Sequence, residues 1–214
     1  MGIICYEKPR DHSTNGLEPR NNTRIMNMPQ ALDEINRCFY ERFAPGFHTT
    51  REHGWTGWVP LLDELPQSAL TVLDIGCGNG RLARFLDKSW CGERNGRIES
   101  FHGMDQCEAL LAFAREESLS FPTHWSPWSW TKILDGSDGD ADTALEVPGI
   151  EADWVTLFGV MHHVYGYERR MALLLWAASH LRVGGVLSVS LWDFGAHEKW
   201  DKKKLNWSEH AGQF

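Results

Sequence analysis

From Leu70 onward the chain alternates between short apolar runs and stretches whose apolar residues recur every three or four positions. "LTVLDIG" is a nearly continuous apolar run that ends in glycine, the pattern of a strand buried on both faces. "NGRLARFLD" then sets Leu82, Phe85 and Leu86 on one helical face, and "RIESFHGMD" reads as a second strand. "CEALLAFAREE" is an amphipathic helix. "FPTHWSPWSW" is a third strand that carries two prolines, and "ADWVTLFGV" is a fourth. An acidic, Gly-rich loop, "DGSDGDADTALEVPG", separates those two. "YERRMALLLWAASHL" is a helix, Gly184-Gly185 a turn, and "VLSVSLWDF" a fifth strand. Strands alternating with helices predict an α/β fold with a doubly wound parallel sheet.

The first part of the chain follows another pattern. Residues 1–28 are polar, contain "STNG" and "PRNNT", and show no periodicity, as expected of a flexible N-terminal arm. "MPQALDEINRCFYERFAPGF" places Leu32, Ile35, Phe39 and Phe43 at helical spacing, with Pro45-Gly46 predicted to end the helix. A second short helix is expected over Trp55–Leu65, stopped by Pro66. The organisation is thus an arm, a domain over 29–195 and a polar tail over 196–214. Within the domain, 29–66 forms a helical cap and 67–195 the core.

Composition narrows the function classes. A chain of 214 residues, 42% hydrophobic and 23% charged, suits one globular domain. No apolar run approaches a membrane span, and the N-terminus lacks the h-region of a secretory signal. The count of five cysteines is odd, with no C-x-x-C, which argues against a disulfide framework or structural zinc and fits the cytoplasm. A net charge of −8 disfavours strong autonomous nucleic-acid binding, so such binding would need a local basic patch or a basic partner. The tryptophans, 11 in number, suit core and rim packing before a stacking surface.

The candidate chemistry sits after the first strand. In "VLDIGCGNG", Gly76, Gly78 and Gly80 form G-x-G-x-G at a strand-to-helix turn, where glycine lets a ligand approach the backbone. A dinucleotide fingerprint needs G-x-x-G after the first G-x, and its last position is Arg81 here. Asp74 would sit badly beside a pyrophosphate and well beside an ammonium, which favours S-adenosylmethionine over NAD. Asp105, ending the second strand in "GMD", can accept from both hydroxyls of a ribose.

"VLDIGCGNG", Met104-Asp105 and "LRVGG" resemble class I S-adenosylmethionine-dependent methyltransferases over about residues 30–195. The resemblance implies a Rossmann-like sheet and cofactor contacts at Asp74, Gly76, Cys77, Gly78, Gly80, Asp105, Gln106, Phe158 and Gly159. That family's third-strand acidic residue, which touches the adenine, has no match, and the chain offers Ser126, Trp128 and Ser129 there. "FYERFAPGFHTTREHGW", "VMHHVYGYERR", the Trp of the fifth strand and "KWDKKKLNW" are similar to the tRNA wobble-uridine methyltransferases that esterify carboxymethyluridine, and to their bacterial relatives.

That resemblance implies methyl transfer to a carboxylate on tRNA, with a small-molecule acceptor as the alternative. A carboxylate is ionised at pH 7 and needs positioning and a cation more than a base. Arg51, Arg169 and Arg170 are the candidate cations, with Tyr40 lining the cofactor cleft and His163 orienting near the methyl group. The arginine pair stands in the first turn of a predicted helix, where the macrodipole disfavours cations, so each needs a partner. A metal at His162-His163 lacks a third ligand at suitable spacing.

The family's sheet carries two more strands after the fifth. The polar segment after Phe194 does not supply them, so the expected domain is shortened and its fifth strand is an exposed edge. A small protein partner, a second copy or the tail would cover that edge, and an inactive cofactor-binding subunit is a third reading.

Overall fold

The computed structural model describes residues 28–130 and 149–192. The arm over 1–27, most of the acidic loop and everything after Trp192 lie outside the described residues. The chain order is α1 (Met28–Thr49), β1 (Leu70–Ile75), α2 (Arg81–Leu86), β2 (Ile98–Asp105), α3 (Glu108–Arg115), β3 (Thr123–Pro127), β4 (Ala152–Leu157), α4 (Tyr167–Ala178) and β5 (Leu181–Val189).

The five strands form one parallel sheet in the order β3-β2-β1-β4-β5. β1 is central and all six of its residues are buried, as its apolar run demands. Its side chains alternate between two cores. Leu70 and Val72 join Phe85, Leu86, Trp90 and Phe101, while Leu73 and Ile75 join Met104, Trp128, Val155 and Leu173. β2 and β4 lie in register on either side of β1, so Asp74 faces Gly103 on one strand and Thr156 on the other. The strands run to either side of β1, and the switch point lies beyond the carboxyl ends of β1 and β4, where open α/β sheets bind ligands.

Three elements differ from the sequence expectation. Pro45-Gly46 does not end α1, which runs on to Thr49. A proline removes one donor, and here the hydroxyls of Thr49 and Thr50 donate to the carbonyls of Pro45, Gly46 and Phe47 and hold the last turn. The single helix over Trp55–Leu65 is two 3₁₀ turns, Thr56–Trp58 and Pro60–Glu64, because Pro60 has no N–H with which to continue. Gly184-Gly185 lies inside β5, as an irregularity rather than a separating turn. Ala152 pairs with Leu181 and Trp154 with Val186, so the extra residues loop out at Gly184, whose φ is +83°.

The face that α1 buries also differs. Ile35, Phe39 and Phe43 are exposed, whereas Asp33 and Ala44 are buried and Asn36, Tyr40 and Phe47 are half-buried. These inner positions also recur every three or four residues. The polar residues among them find partners on α4 and beyond β4, which local periodicity does not register.

Candidate functional site

Beyond β1 and β4 lies a cleft of about 770 Å³, within the range of small-molecule sites. Its floor is Asp74, Gly76, Cys77 and Gly78, with Asp105 and Gln106 on one side and Phe158, Gly159 and Val160 on the other. Tyr40, Phe47, Arg51, Trp55 and Trp58 of the cap form the roof.

The glycine loop is held by its own N–H groups. Gly76 and Cys77 donate to the carbonyl of Met104, and Gly78 donates to Asp105 Oδ2 at 2.8 Å. Gly76 has φ +78°, and a Cβ there would stand 2.4 Å from the Val160 side chain, so the turn and the close packing both require glycine. Gly80 also has positive φ, but it packs against Ala114 and Trp125 and does not line the cleft. Its role is to seat α2 against its neighbours, a correction to its expected place among the cofactor contacts. Asn79 supports the loop from above: its amide donates to His48 Nδ1 at 3.0 Å, and the His48 ring stacks on Phe113 of α3.

Two carboxylates face the cleft. Asp74 is 3% exposed and accepts from the Thr156 hydroxyl at 2.6 Å. Burial raises its pKa to about 7, with Thr156 opposing and the Asp105 charge adding. Asp105 is anchored by the N–H groups of Gly78 and Cys107, each at 2.8 Å, although burial raises its pKa too. Burial, with both carboxylates nearby, pushes the Cys77 thiol well above its usual range, so Cys77 serves as inert wall. Gln106 accepts from Ser129, and the Gly159 N–H donates to Ser190.

This donor set fits S-adenosylmethionine. A buried carboxylate with a raised pKa lacks a cation, which the cofactor's ammonium would provide, and Asp105 stands at the end of β2 where ribose hydroxyls would find an anchored acceptor. The adenine side differs from the expectation. Of the tryptophans after β3, Trp130 lines the cleft, whereas Trp128 stacks on Trp176 at 4.6 Å and neither Ser126 nor Ser129 lines the cleft.

The acceptor-side candidates separate. Tyr40 and His163 both line the cleft and are bonded to each other at 3.0 Å. Burial lowers the His163 pKa to about 4, and His162 adds to the effect. Arg51 lines the cleft with its guanidinium 3.9 Å over the Phe47 ring and one bond to Thr50. Arg169 and Arg170 do not line it. Arg169 pairs with buried Asp33 at 2.7 Å, and Arg170 Nε donates to the Val164 carbonyl at 2.8 Å. The expected partner of each arginine therefore exists, but it belongs to the protein, and both leave the catalytic set. Sequence reasoning missed Phe47, Trp58, Arg81 and Asn36. Trp55 had a signal as the last residue of "FYERFAPGFHTTREHGW". Among the described residues no group of three His, Cys, Asp or Glu side chains is set to hold a metal, and no helix is long and apolar enough to cross a membrane.

Comparison with known proteins agrees with this geometry. The methyltransferase domain family matches residues 25–212. The tRNA (carboxymethyluridine(34)-5-O)-methyltransferase ALKBH8 of Macaca fascicularis is 26% identical over 183 residues, which are 82% of this chain and 23% of that protein. Its Xenopus tropicalis counterpart is 28% identical over 167 residues, 77% of this chain and 22% of that one. The chain thus spans under a quarter of the length of these ALKBH8 proteins. In fold it is similar to a solved chain from the complex of the Haloferax volcanii Trm112 methyltransferase activator with a methyltransferase. The TM-score is 0.52 at 18% identity, over 81% of this chain and 66% of that one. The glycine loop between two anchored aspartates, at the switch point of a parallel sheet, has its explanation in this kinship: the chain belongs to the methyltransferase domain family and is an S-adenosylmethionine-dependent methyltransferase.

Proposed function

We propose that the acceptor is an ionised carboxylate, the carboxymethyl group of wobble uridine in tRNA. The observation that carries this reading is Arg51: a cleft-lining cation with no ion pair among the described residues, opposite a floor that holds no strong base. When bound, the cofactor supplies an electrophilic methyl on a sulfonium. A carboxylate oxygen held in this cleft would form the new C–O bond to that methyl as the C–S bond broke with its electrons going to sulfur, leaving a methyl ester and a neutral thioether. No proton moves, so the chain's residues need only orient and partly desolvate the carboxylate. Arg51 would hold its second oxygen.

The activity of the ALKBH8 relatives as carboxymethyluridine methyltransferases supports the uridine, and the Trm112-bound neighbour suggests a small activator as partner. Among the described residues β5 is one edge of the sheet, with Val183 fully exposed on it, and is where we place such a partner. The net charge of −8 favours a second reading, in which the acceptor is a free small acid and no tRNA binds.

Incubation with labelled S-adenosylmethionine and tRNA bearing unesterified carboxymethyluridine distinguishes the two. Label in tRNA that mild alkali releases is expected. Label found only on small acids would sink the tRNA reading.

A further inference from the structure

We propose that Arg81 and Arg51 together form a two-guanidinium receptor for the anionic group of the acceptor, with Trp55 as the surface on which the acceptor's planar ring lies. The inference rests on the carboxylate reading above and extends it to a second cation and a ring.

Arg51 follows α1 and Arg81 opens α2, yet both line the same cleft. Each guanidinium is laid over an aromatic ring, Arg51 over Phe47 at 3.9 Å and Arg81 over Trp58 at 5.3 Å. Stacking of this kind fixes the plane and leaves the N–H edge open for an anion. One further bond steadies each: Arg51 Nη1 donates to Thr50 Oγ1 and Arg81 Nε to the His53 carbonyl. A guanidinium has five donors, so most remain for a ligand.

Neither has a carboxylate partner among the described residues; Arg42, Arg97 and Arg170 share that state, but of these five only Arg51 and Arg81 line the cleft. Arg37, Arg84, Arg94, Arg115, Arg169 and Arg182 all hold such a partner. With acidic residues in excess, 29 against 21 basic, two unpaired cations in one cleft are not a matter of supply. The cleft's own carboxylates are engaged elsewhere, Asp74 with Thr156 and Asp105 with the N–H groups of Gly78 and Cys107. Arg81 is half-buried and repelled by Arg51 and Arg84, a cost that an arriving anion relieves. Trp55, 48% exposed at the roof and edge-on to Trp58, is open to a planar ring. The matching ligand is a planar ring bearing a short anionic arm. An amine or a neutral sugar fits poorly.

Binding is measured by calorimetry with S-adenosylhomocysteine present, using 5-carboxymethyluridine and phenylacetate, each against its neutral amide. The acids are expected to bind more tightly than the amides. Arg81→Gln should weaken each acid about tenfold or more, as loss of a charge-assisted bond does, and leave the amides and S-adenosylhomocysteine unchanged. Arg81→Lys should recover part of the loss, and Trp55→Ala should weaken acid and amide alike. Phenylacetate binding through Arg81 without 5-carboxymethyluridine binding would retain the receptor and remove the uridine reading. The receptor itself falls if neither acid binds, if Arg81→Gln leaves both acids unaffected, or if it weakens S-adenosylhomocysteine as much as the acids. That last outcome would assign the arginines to the cofactor's carboxylate.

Discussion

The Tyr40 hydroxyl lies 3.0 Å from Nε2 of His163, and the other side of the imidazole decides which of the two donates. Asn36 points its amide nitrogen toward the His163 carbonyl and its Oδ1 toward His163 Nδ1, at 3.1 Å. Nδ1 must therefore carry the proton, Nε2 must accept, and Tyr40 must donate to it. The Tyr40 oxygen then faces the cleft as an acceptor only.

This arrangement requires a neutral imidazole. With a pKa lowered to about 4 by burial, His163 should show the Nδ1–H tautomer in nitrogen-detected NMR and no titration between pH 5.5 and 8. Asn36→Asp puts a carboxylate against Nδ1 and should bring the titration back into that window. Once protonated, His163 becomes a donor at both nitrogens and turns the Tyr40 hydroxyl toward the cleft. Ligand affinity in that variant should change with pH where the parent's Tyr40 contact does not. An Nε2–H tautomer in the parent would overturn the assignment.

Asp74 predicts an acid limit on cofactor binding. Its carboxyl has a pKa of about 7 in the free protein, and the cofactor's ammonium selects the ionised form. Below pH 7, binding must release a proton, so affinity should fall by up to about tenfold per unit. Calorimetry in two buffers of different ionisation enthalpy measures that proton. The same raised pKa makes the folded state bind more protons than the unfolded one, so this residue's contribution to stability is lost as pH rises from the unfolded carboxylate range through about 7. Asp74→Asn should therefore raise the melting temperature of the free protein at pH 8 while abolishing cofactor binding.

The Arg169–Asp33 pair predicts a fold effect and no catalytic one. Both side chains are largely buried, 12% and 7% exposed, and Asp33 also accepts from the Trp130 indole at 3.4 Å. Removing one partner strands the other charge, which costs about 3–5 kcal/mol. Arg169→Ala should lower the denaturation midpoint by that amount and leave turnover per folded molecule near the parent's. Arg170→Ala loses one bond to a carbonyl and should cost about 1 kcal/mol. A large drop in turnover at unchanged stability would return either arginine to the active site.

Gly76→Ala combines two penalties: an unfavourable φ of +78° and a Cβ 2.4 Å from Val160. Val160→Ala should relieve the steric part in the double variant and leave the backbone part of about 1 kcal/mol. Urea denaturation of the two single variants and the double variant checks this.

Much of the sheet was legible because β1 and β4 are mostly apolar runs, interrupted only by Thr71, Asp74, Asp153 and Thr156, whose burial needs little distant information. The cofactor loop was legible for the same local reason, since positive φ at Gly76 and Gly78 calls for glycine wherever the turn is used. Helix ends and faces were less so. Pro45 reads locally as a stop because the threonine hydroxyls that hold the last turn come after it, and Ile35, Phe39 and Phe43 read as a core face because their spacing carries apolarity and says nothing of the distant partners of Asp33 and Asn36.

The sequence by itself determined the strand–helix alternation, the glycine turn and the two aspartates at the strand ends, because each follows from neighbours a few residues away. Tertiary structure decided which polar side chains serve the cleft and which serve the fold. Arg169 and Arg51 are alike in sequence. One meets Asp33 across 136 positions and becomes structural, and the other meets no carboxylate among the described residues and stays in the cleft. A charge takes its role from its partner, and the partner is set by packing between segments far apart in the chain.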